Sequence, residues 1–452
     1  MINRVTDEYV RQCLHGNSGL LNAMGSLNLP PALSAAFGSR LSSRPFFIDE
    51  AEIRQCGADL VELFEILAAL PDRFFGGDIS AYCATLGIDD RRTRIMKRFP
   101  RTPDMYGRAD LYHDGESFKL LEYNVDSALG GIDRAEISRL LLDVRPFHEF
   151  AETFDLSYVH TGERLAQILH DASLHLASGS RPVVAFVEAN GDLSKYQSVY
   201  RSYQEMLQRC GLDVVLGELH QVQDKGGRIL LGGKPIDVIL RCFDIEELIA
   251  DRGGAMTAES IFRAHDEGRV VLWTEMQSGL VGNKGCLGLV SDLRTRGAFS
   301  KRENEVIDRI LPWTRTLVDG PTETDEGVVD LIDYCKRNQK DLVLKPNFGH
   351  SGAGIVIGWE SSSTEWSAAL FDASKRGYVV QRRVIPRAEP VMNPESRRIE
   401  HWNAVWGVFV NPEGYAGAQI RAVPVEGSGV INLDGNSTVR VGAVFHSATA
   451  EN

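Results

Sequence analysis

The alternation of apolar and polar positions divides the chain into a helical first part and a later part rich in strands. Apolar residues recur every three or four positions over 49–70, which predicts an amphipathic helix. We expect this helix to stop at Pro71, because proline lacks the amide hydrogen that a helix interior uses. The same periodicity predicts shorter helices over 79–86 and 89–97. Residues 1–105 are therefore predicted to form a helical N-terminal region.

From Tyr106 the pattern changes to a β-hairpin with a polar, glycine-containing turn over 113–116. A period of two gives the second strand one unusual face, formed by Leu120, Glu122, Asn124 and Asp126. Asp110 on the first strand is expected to lie opposite these residues. Oxygen donors of this kind suit Mg²⁺. The alternative is a solvent-exposed polar face, with the buried side supplied by Leu121, Tyr123 and Val125.

Residues 181–275 alternate strand and helix, which predicts a Rossmann-like α/β domain with a parallel sheet. Binding residues of such sheets lie at the carboxyl ends of the strands. Glu188, Asn190 and Arg241 occupy these positions and are candidate binding residues. The alternative is that each of them is an ordinary polar loop residue without a binding role.

A glycine-bearing loop lies between two apolar segments over 342–358, with Lys345 and Pro346 at the end of the first segment. Glycines let backbone N–H groups approach a ligand, and successive N–H groups can form an anion-binding concavity. A nucleotide polyphosphate is the simplest ligand for such a loop beside a lysine. The loop lacks the Walker lysine and the helix of the dinucleotide fingerprint. The alternative is a plain β-hairpin whose glycines only turn the chain.

Length and charge narrow the class of protein. A chain of 452 residues is expected to form two or three domains. The net charge of −13 argues against nucleic acid as the main partner. There is neither a run of about 18 apolar residues nor a signal-like N-terminus, so we expect a cytoplasmic protein without membrane contact. The basic cluster over 91–101 is either a solvated helix face or a rim that attracts an acidic substrate.

The motifs, taken in order, resemble the circularly permuted ATP-grasp ligases of the glutathionylspermidine synthase type. The resemblance rests on Arg108-x-Asp110, Glu122-Tyr-Asn124, Asn283-Lys284, Lys345-Pro346 with its glycine loop, Gln381 and Arg421. It implies a mixed α/β (α+β) fold of ATP-grasp type, circularly permuted, with a helical N-terminal region and a Rossmann-like substrate domain. The implied domains are 1–105, a metal-site hairpin segment over 106–180, the α/β domain over 181–275, and the lid with its nucleotide-binding β region over 276–452.

The resemblance also implies residue roles. Magnesium ions bridging the ATP phosphates would be held by Asp110, Glu122 and Asn124. Lys284 and Lys345 would contact the α- and β-phosphates, and Gln381 would border the adenine. The loop that closes over the phosphates would consist of Gly349, Gly352, Ala353 and Gly354. Arg108 and Arg421 would be catalytic, facing the γ-phosphate and the transferred charge.

The implied activity is ATP-dependent amide formation between a small-molecule carboxylate and an amine, through an acyl phosphate. We expect ATP and Mg²⁺ as cofactors and a small peptide or amino acid as substrate. The family's serine contacts to glutathione are reduced here to Ser127, so glutathione itself is not predicted. Two other functions remain open: an ATP-binding regulatory module without ligase activity, and a small-molecule kinase using the same site. The assembly state is also open, with a homodimer as one alternative.

Overall fold

The computed structural model describes residues 3–99, 102–177, 181–349, 352–427, 430–433 and 435–448 of a mixed α/β chain. In chain order the helices are α1 Arg4–Leu14, α2 Ser18–Leu21, α3 Pro31–Phe37, α4 Glu50–Phe75, α5 Ile79–Thr85, α6 Asp90–Met96, α7 Ala135–Leu141, α8 Arg145–Thr153, α9 Thr161–Ala177, α10 Gln197–Arg209, α11 Ile245–Ala250, α12 Arg252–Asp266, α13 Lys284–Thr295, α14 Lys301–Ile310, α15 Leu331–Arg337 and α16 Ser363–Ala373. The strands are β1 Phe46–Asp49, β2 Gly107–His113, β3 Phe118–Val125, β4 Leu156–Ser157, β5 Val183–Glu188, β6 Asp213–Glu218, β7 Val222–Lys225, β8 Arg228–Leu231, β9 Lys234–Pro235, β10 Val238–Arg241, β11 Val271–Trp273, β12 Thr314–Thr316, β13 Pro321–Thr324, β14 Gly327–Asp330, β15 Leu342–Pro346, β16 Val356–Ile357, β17 Tyr378–Arg382, β18 Glu389–Met392, β19 Ile399–Asn411, β20 Gly414–Pro424, β21 Arg440–Gly442 and β22 Val444–Ser447.

The largest sheet, which we call the central sheet, joins strands from both halves of the chain. Its order is β21–β20–β19–β2–β3, with β18 also paired to β19, and neighbouring strands run antiparallel. The early hairpin β2–β3 thus lies beside strands that follow the glycine loop by more than forty residues. Segments that are far apart in this chain therefore share one sheet. In a chain without the circular permutation that the resemblance implies, these segments would follow one another in sequence.

The glycine loop belongs to a second antiparallel sheet, the lid sheet, with the order β12–β17–β15–β16. Helices α15 and α16 cover one face and pack Trp366 and Leu370 on Leu342 and Leu344. Before α15, residues 327–330 form strand β14, which pairs with β13. Helix α15 starts only at Leu331, where the preceding aspartate caps it by accepting a hydrogen bond from the Asp333 amide at 2.8 Å.

The predicted parallel sheet is present, with the order β11–β10–β5–β6. Alternate residues of β5 enter two cores, Ala185 and Val187 on the α12 side and Val184 and Phe186 on the α10 side. Burial on both faces explains why its strands read as continuous apolar runs. The small β7–β8–β9 sheet after β6 was not predicted.

Helix α4 corrects the expectation that Pro71 ends the helix. The helix continues to Phe75 and ends at Gly76, whose φ of 59° is left-handed. Pro71 removes one amide donor within the last two turns, and its carbonyl accepts the Gly77 amide at 3.0 Å. The apolar face of α4 is buried against the central sheet, so packing outweighs this single lost bond.

The two ends of the described chain share a core. Strand β1 pairs in parallel with β22, and Tyr9 and Phe47 pack in the same cluster as Val441 and Phe445.

The predicted domain boundaries stay a prediction, and residues 178–180 at one of them lie outside the described residues. Within the described ranges, no helix combines the length and apolar character needed to cross a membrane.

Candidate active site

A cavity of about 1260 Å³ lies where the central sheet, the lid sheet and the carboxyl edge of the parallel sheet meet. Most of the residues predicted for the site line it, namely Arg108, Asp110, Glu122, Asn124, Lys284, Lys345, Gly349, Gly352, Gln381 and Arg421. Ala353 and Gly354 are exposed and are not part of its wall. Residues from four separate parts of the chain therefore meet around one space.

The hairpin places its oxygen-bearing side chains side by side, as expected from the sequence. Asp110 is directly opposite Glu122, and Arg108 is opposite Asn124. The expected companion Leu120 is not on this face, because a bulge shifts the register between Asp110 and the next residue. Leu120 instead enters the core beside Tyr123 and Val125. Leu121, expected on the buried side, lines the cavity.

Asp110 sits between two guanidinium groups. Its Oδ1 accepts from Arg108 Nε at 2.8 Å, and its Oδ2 accepts from Arg108 Nη2 at 3.1 Å and from Arg421 Nη2 at 2.7 Å. Burial alone would raise the pKa of this carboxyl, but the two arginines outweigh burial and hold the pKa at about 2. Asp110 is therefore ionised at any physiological pH, and it fixes both arginines at the cavity wall.

Two lysines stand near Glu122. Lys284 Nζ is 3.4 Å from Glu122 Oε1 and donates to the Gly349 carbonyl of the glycine loop at 3.3 Å. Lys345 Nζ donates to the Leu121 carbonyl at 2.8 Å and to Gln381 Oε1 at 2.6 Å. Burial lowers the pKa of Lys345 to about 8; Glu122 opposes this shift and Lys284 adds to it. The Lys345 charge is held in place by neutral oxygens and is not neutralised by a direct ion pair in the described chain.

The glycine loop adopts backbone angles that glycine favours. Gly352 and Gly354 have φ of 74° and 76°, and a Cβ on Gly354 would lie 2.9 Å from the Tyr378 hydroxyl. Lys284 also donates its backbone amide to the Asn347 carbonyl at 3.1 Å. Lys284 is thus connected to the glycine loop and its leading segment through both its side chain and its backbone.

Apolar side chains of both antiparallel sheets line the cavity. Val343 and Ile357 come from the lid sheet, and Tyr112, Leu121 and Val405 come from the central sheet. We call these five side chains the apolar slot; the buried amide of Gln381 lines the same cavity. A flat ring with polar edges fits a space of this composition.

A second group of charges, which we call the acidic wall, consists of Glu188, Asp192 and Glu247. One carboxylate oxygen of each lies within 4.8 Å of the others, and all three line the cavity. Burial raises the pKa of Glu188, and burial with the nearby Asp244 raises the pKa of Glu247 to about 7. The exposed Lys195 pairs with Asp192. These carboxylates can share one cation, either a metal ion or an ammonium group.

The other two strand-end candidates have structural contacts. Arg241 is buried and donates to the Thr274 carbonyl at 2.8 Å and to Asp126 Oδ1 at 2.6 Å, which ties the parallel sheet to the hairpin. Asn190 bonds Asp251 and the His220 amide. Of the three candidates, only Glu188 brings a carboxylate to the acidic wall.

The basic cluster over 91–101 is partly explained by contacts with the parallel-sheet region. Arg92 pairs with Glu246, and Arg98 pairs with Asp266 at 2.5 Å and Glu259 at 3.4 Å. Arg92 on α6 thus contacts α11, and Arg98, just after α6, contacts α12. Arg92 also lines the cavity, so a basic rim for an acidic substrate stays a prediction. Arg101, the last basic residue of the cluster, lies outside the described residues.

A family model described as glutathionylspermidine synthase preATP-grasp matches residues 42–295, which is more than half of the chain. The chain belongs to this family. The match includes Arg108, Asp110, Glu122, Asn124 and Lys284 and stops before the lid sheet. This chain is therefore a member of a family of synthetases of the peptide-ligase type. No curated protein sequence matches the chain.

Among solved structures, a glutathione synthetase-like effector from Globodera pallida matches with a TM-score of 0.57 and 13% identity, covering 98% of this chain and 99% of that chain. At this identity the match shows the fold alone, and it confirms the expected ATP-grasp-type α/β architecture. A protein described as a gamma-glutamylcysteine synthetase from Methylobacillus flagellatus matches with a TM-score of 0.40 and 12% identity, covering 83% and 85% of the two chains. A TM-score of this size does not establish a shared fold.

The sequence analysis assigned no site role to several residues that line the cavity of this glutathionylspermidine synthase family member. They include Asp192 and Glu247 of the acidic wall, and Arg134 and Gln419. The loop after β5 carried a usable signal for Asp192, because such loops lie at the ligand-binding edge of a parallel sheet. The other three come from helix starts and a strand interior, where nothing in the local pattern marks them.

Proposed function

We propose that this protein is an ATP-dependent carboxylate–amine ligase that forms an amide (peptide) bond and releases ADP. The observation that carries the proposal is the meeting, in one cavity, of the Lys284–Lys345–glycine loop group with the Arg108–Asp110–Arg421 network. The first group suits a polyphosphate, and the second suits the charge that develops on a transferred phosphoryl group.

The cavity wall fits a nucleotide. Asn283 is 2% exposed, and its Nδ2 donor finds no hydrogen-bond acceptor among the described residues. Buried amide donors are normally paired, so a ligand oxygen is the natural partner for this one. Asn283 immediately precedes Lys284 and lines the same cavity, and the apolar slot beside Lys345 suits the base. The residues present therefore fit ATP as the phosphoryl donor.

The hairpin also fits magnesium. Glu122 and Asn124 offer oxygen donors of the kind that Mg²⁺ takes together with substrate phosphates, and Asp110 would join them by exchanging an arginine contact for the metal. When bound there, magnesium would neutralise phosphate charge and orient the phosphates for in-line transfer. Arg108 and Arg421 remain beside Asp110 and supply fixed donors to the same region.

The proposed chemistry proceeds in two steps. An oxygen of the donor carboxylate attacks the γ-phosphorus, which forms an acyl phosphate as ADP leaves. The amine then attacks the acyl carbon, phosphate leaves, and the amine loses a proton. Arg108 and Arg421 stabilise charge on the transferred group, and the glycine loop keeps water from the acyl phosphate.

The acidic wall supports an amine as the second substrate. A protonated amine is attracted by three carboxylates in a partly buried site. Glu247 has its pKa raised to about 7, so near neutral pH it exchanges protons readily. A carboxylate with this pKa can accept the proton that the amine must lose before it attacks.

The test is ADP release with Mg²⁺ and ATP, using pooled amino acids and dipeptides, followed by mass spectrometry of the products. Amide ligation predicts a product whose mass equals two components minus water, formed in step with ADP. Lys345→Ala and Glu122→Ala should lose this activity while the fold is kept, and Lys301→Ala, an exposed lysine, should behave as wild type.

The remaining outcomes overturn the proposal. A phosphorylated component with ADP would indicate a kinase. Tight ATP binding without ADP in any pool would indicate a binding module. Wild-type rates in both site variants would show that the chemistry lies elsewhere.

A further inference from the structure

A buried arginine that the proposed chemistry does not use lies in the cavity wall. Arg134 ends a short 3₁₀ turn, Ile132–Arg134, just before α7, and only 6% of its surface is exposed to solvent. Its Nε and Nη1 atoms have no hydrogen-bond acceptor among the described residues. Desolvating a guanidinium without an acceptor is costly, and native structures rarely leave such groups unpaired. The side chain nevertheless lines the cavity.

Arg134 is held in position by an aromatic ring. Its guanidinium carbon is 4.8 Å from the centre of the Phe37 ring, a cation–π arrangement. Phe37 ends α3 and lines the cavity with Ala35 and Ala36. Arg40 follows this helix and donates to the Leu433 carbonyl at 2.7 Å, which ties the segment to the C-terminal part of the chain. The N-terminal segment 35–40 thus forms part of the cavity wall beside Arg134.

Arg134 lies among charged groups of both signs. Arg108 and Arg421 act on it with like charge, while Asp133 opposes them. Asp110 bonds Arg108 and Arg421, and Glu122 also acts on Arg108, so the carboxylates nearest to these two arginines are already engaged by them. Arg421 Nε also has no acceptor among the described residues. A ligand that supplies negative charge and planar acceptors would complete this group.

We propose that Arg134 binds a carboxylate of the acyl donor that is distinct from the carboxylate undergoing activation. This inference rests on the proposed ligase function and names its donor class: a small molecule with two carboxylates, or a peptide that has a second one. Arg108 and Arg421 meet the reacting carboxylate, and Arg134 holds the second carboxylate beside the wall formed by 35–40. Bidentate pairing fixes the donor's orientation as well as its affinity.

Binding of matched probes tests this assignment without turnover. The probes are succinate, glutarate and adipate, each compared with its monoamide of nearly equal size, measured by calorimetry with MgADP present. In the wild type at least one dicarboxylate should bind about tenfold tighter than its monoamide, as expected for one charge-assisted pair. Arg134→Gln should remove the preference, and Arg134→Lys should restore part of it. Arg145→Gln, at an arginine whose side chain is 89% exposed, should behave as wild type.

Thermal unfolding separates this binding role from a structural one. A guanidinium without an acceptor costs the free protein stability, so Arg134→Gln should leave the Tm unchanged or raise it. A clear fall in the Tm of both Arg134 variants would show that Arg134 supports the fold and would overturn the proposal. Equal binding of each acid and its monoamide to the wild type, no binding of any probe, or a preference that survives in Arg134→Gln would also overturn it.

Kinetics with a donor found by the product screen give an independent test. Arg134→Gln should raise the KM for the donor about tenfold while the KM for ATP stays within about twofold. A rise confined to the KM for ATP would assign Arg134 to the nucleotide and contradict the proposal. If the wild type makes no amide at all, the ligase function fails, whereas the probe measurement still decides whether Arg134 selects a carboxylate.

Discussion

Two walls of the same cavity hold carboxylates in opposite electrostatic settings, a buried one at the first wall and a half-buried one at the second. On one wall Asp110 is bound by Arg108 and Arg421, and its pKa is held at about 2. On the acidic wall Glu247 lies near Asp244, Glu188 and Asp192, and its pKa is raised to about 7. The same type of side chain is thus permanently charged at one wall and close to half-charged at the other at neutral pH.

The difference shows that the partners of a buried acid, more than burial itself, decide what it can do. Burial is the first factor in both shifts and raises both pKa values. Two guanidinium groups reverse its effect at Asp110, whereas other carboxylates add to it at Glu247. Asp110 is suited to hold cationic groups in fixed positions, and Glu247 is suited to exchange a proton.

The largest effect is expected at the cationic wall. Lys345→Met should reduce ADP release by at least about a hundredfold, because a preorganised buried charge stabilises the transition state far more than an exposed one. The activity that depends on the charged Lys345 should fall as pH rises through about 8, where this lysine loses its proton. Steady-state rates against pH provide the measurement. A rate within tenfold of wild type would remove Lys345 from the site.

The next effect concerns stability. Asp110→Asn leaves two buried guanidinium groups without their shared counter-charge, and we expect a loss of about 3 kcal/mol in the free energy of unfolding. Because its pKa is lowered in the folded state, Asp110 contributes stability that is present above pH 4 and disappears as pH falls through about 2. Urea unfolding at several pH values should show this acid loss in the wild type and not in the variant. An unchanged midpoint in Asp110→Asn would contradict the network.

At the acidic wall, Glu247→Gln should raise the KM for the amine about tenfold and leave the KM for ATP unchanged. In the wild type the KM for the amine should fall as pH rises through about 7, because Glu247 becomes negative there. The variant should lose this dependence. Glutamine preserves the helix cap, in which residue 247 accepts the Asp244 amide at 2.7 Å, so the fold is not at risk. A pH profile shared by both proteins would assign the dependence to another group.

The smallest effect is expected at the partly exposed ion pairs of Arg92. Arg92→Gln removes ion pairs to Asp89 and Glu246, whose side chains are 50% and 49% exposed, and should cost no more than about 1 kcal/mol. Thermal unfolding in low and high salt measures this, with Arg94→Gln as a neighbouring control. A loss comparable to that of Asp110→Asn would mean that the α6 contacts stabilise the fold as strongly as the buried network does.

Regular alternation and strand order were sufficient to predict part of this site. The hairpin pattern placed Asp110 opposite Glu122, and the structure has this register. Lys345 was correctly placed at the end of an apolar strand. The parallel sheet followed from its runs of apolar residues, since strands buried on both faces have no polar positions.

The remaining features of the site depend on a β-bulge and on tertiary packing, which a local sequence pattern does not reveal. One bulged residue moved Leu120 to the core and Leu121 to the cavity, and strict alternation cannot reveal an extra residue in one strand. Arg134 and Glu247 belong to helical starts far apart in the chain, and only the packing brings them to one cavity. Arg92 and Arg98 contact partners on α11 and α12 that lie 154 and 168 residues away in sequence.

The most direct test of the central claim follows oxygen atoms. A donor identified by the product screen is labelled with ¹⁸O in its carboxylate, and the phosphate released during amide formation is analysed by mass spectrometry. Activation through an acyl phosphate predicts one ¹⁸O atom in each phosphate, because the donor oxygen that attacks phosphorus leaves with it. Unlabelled phosphate accompanied by amide formation would contradict this mechanism, and label in AMP would show that the carboxylate is activated by adenylation.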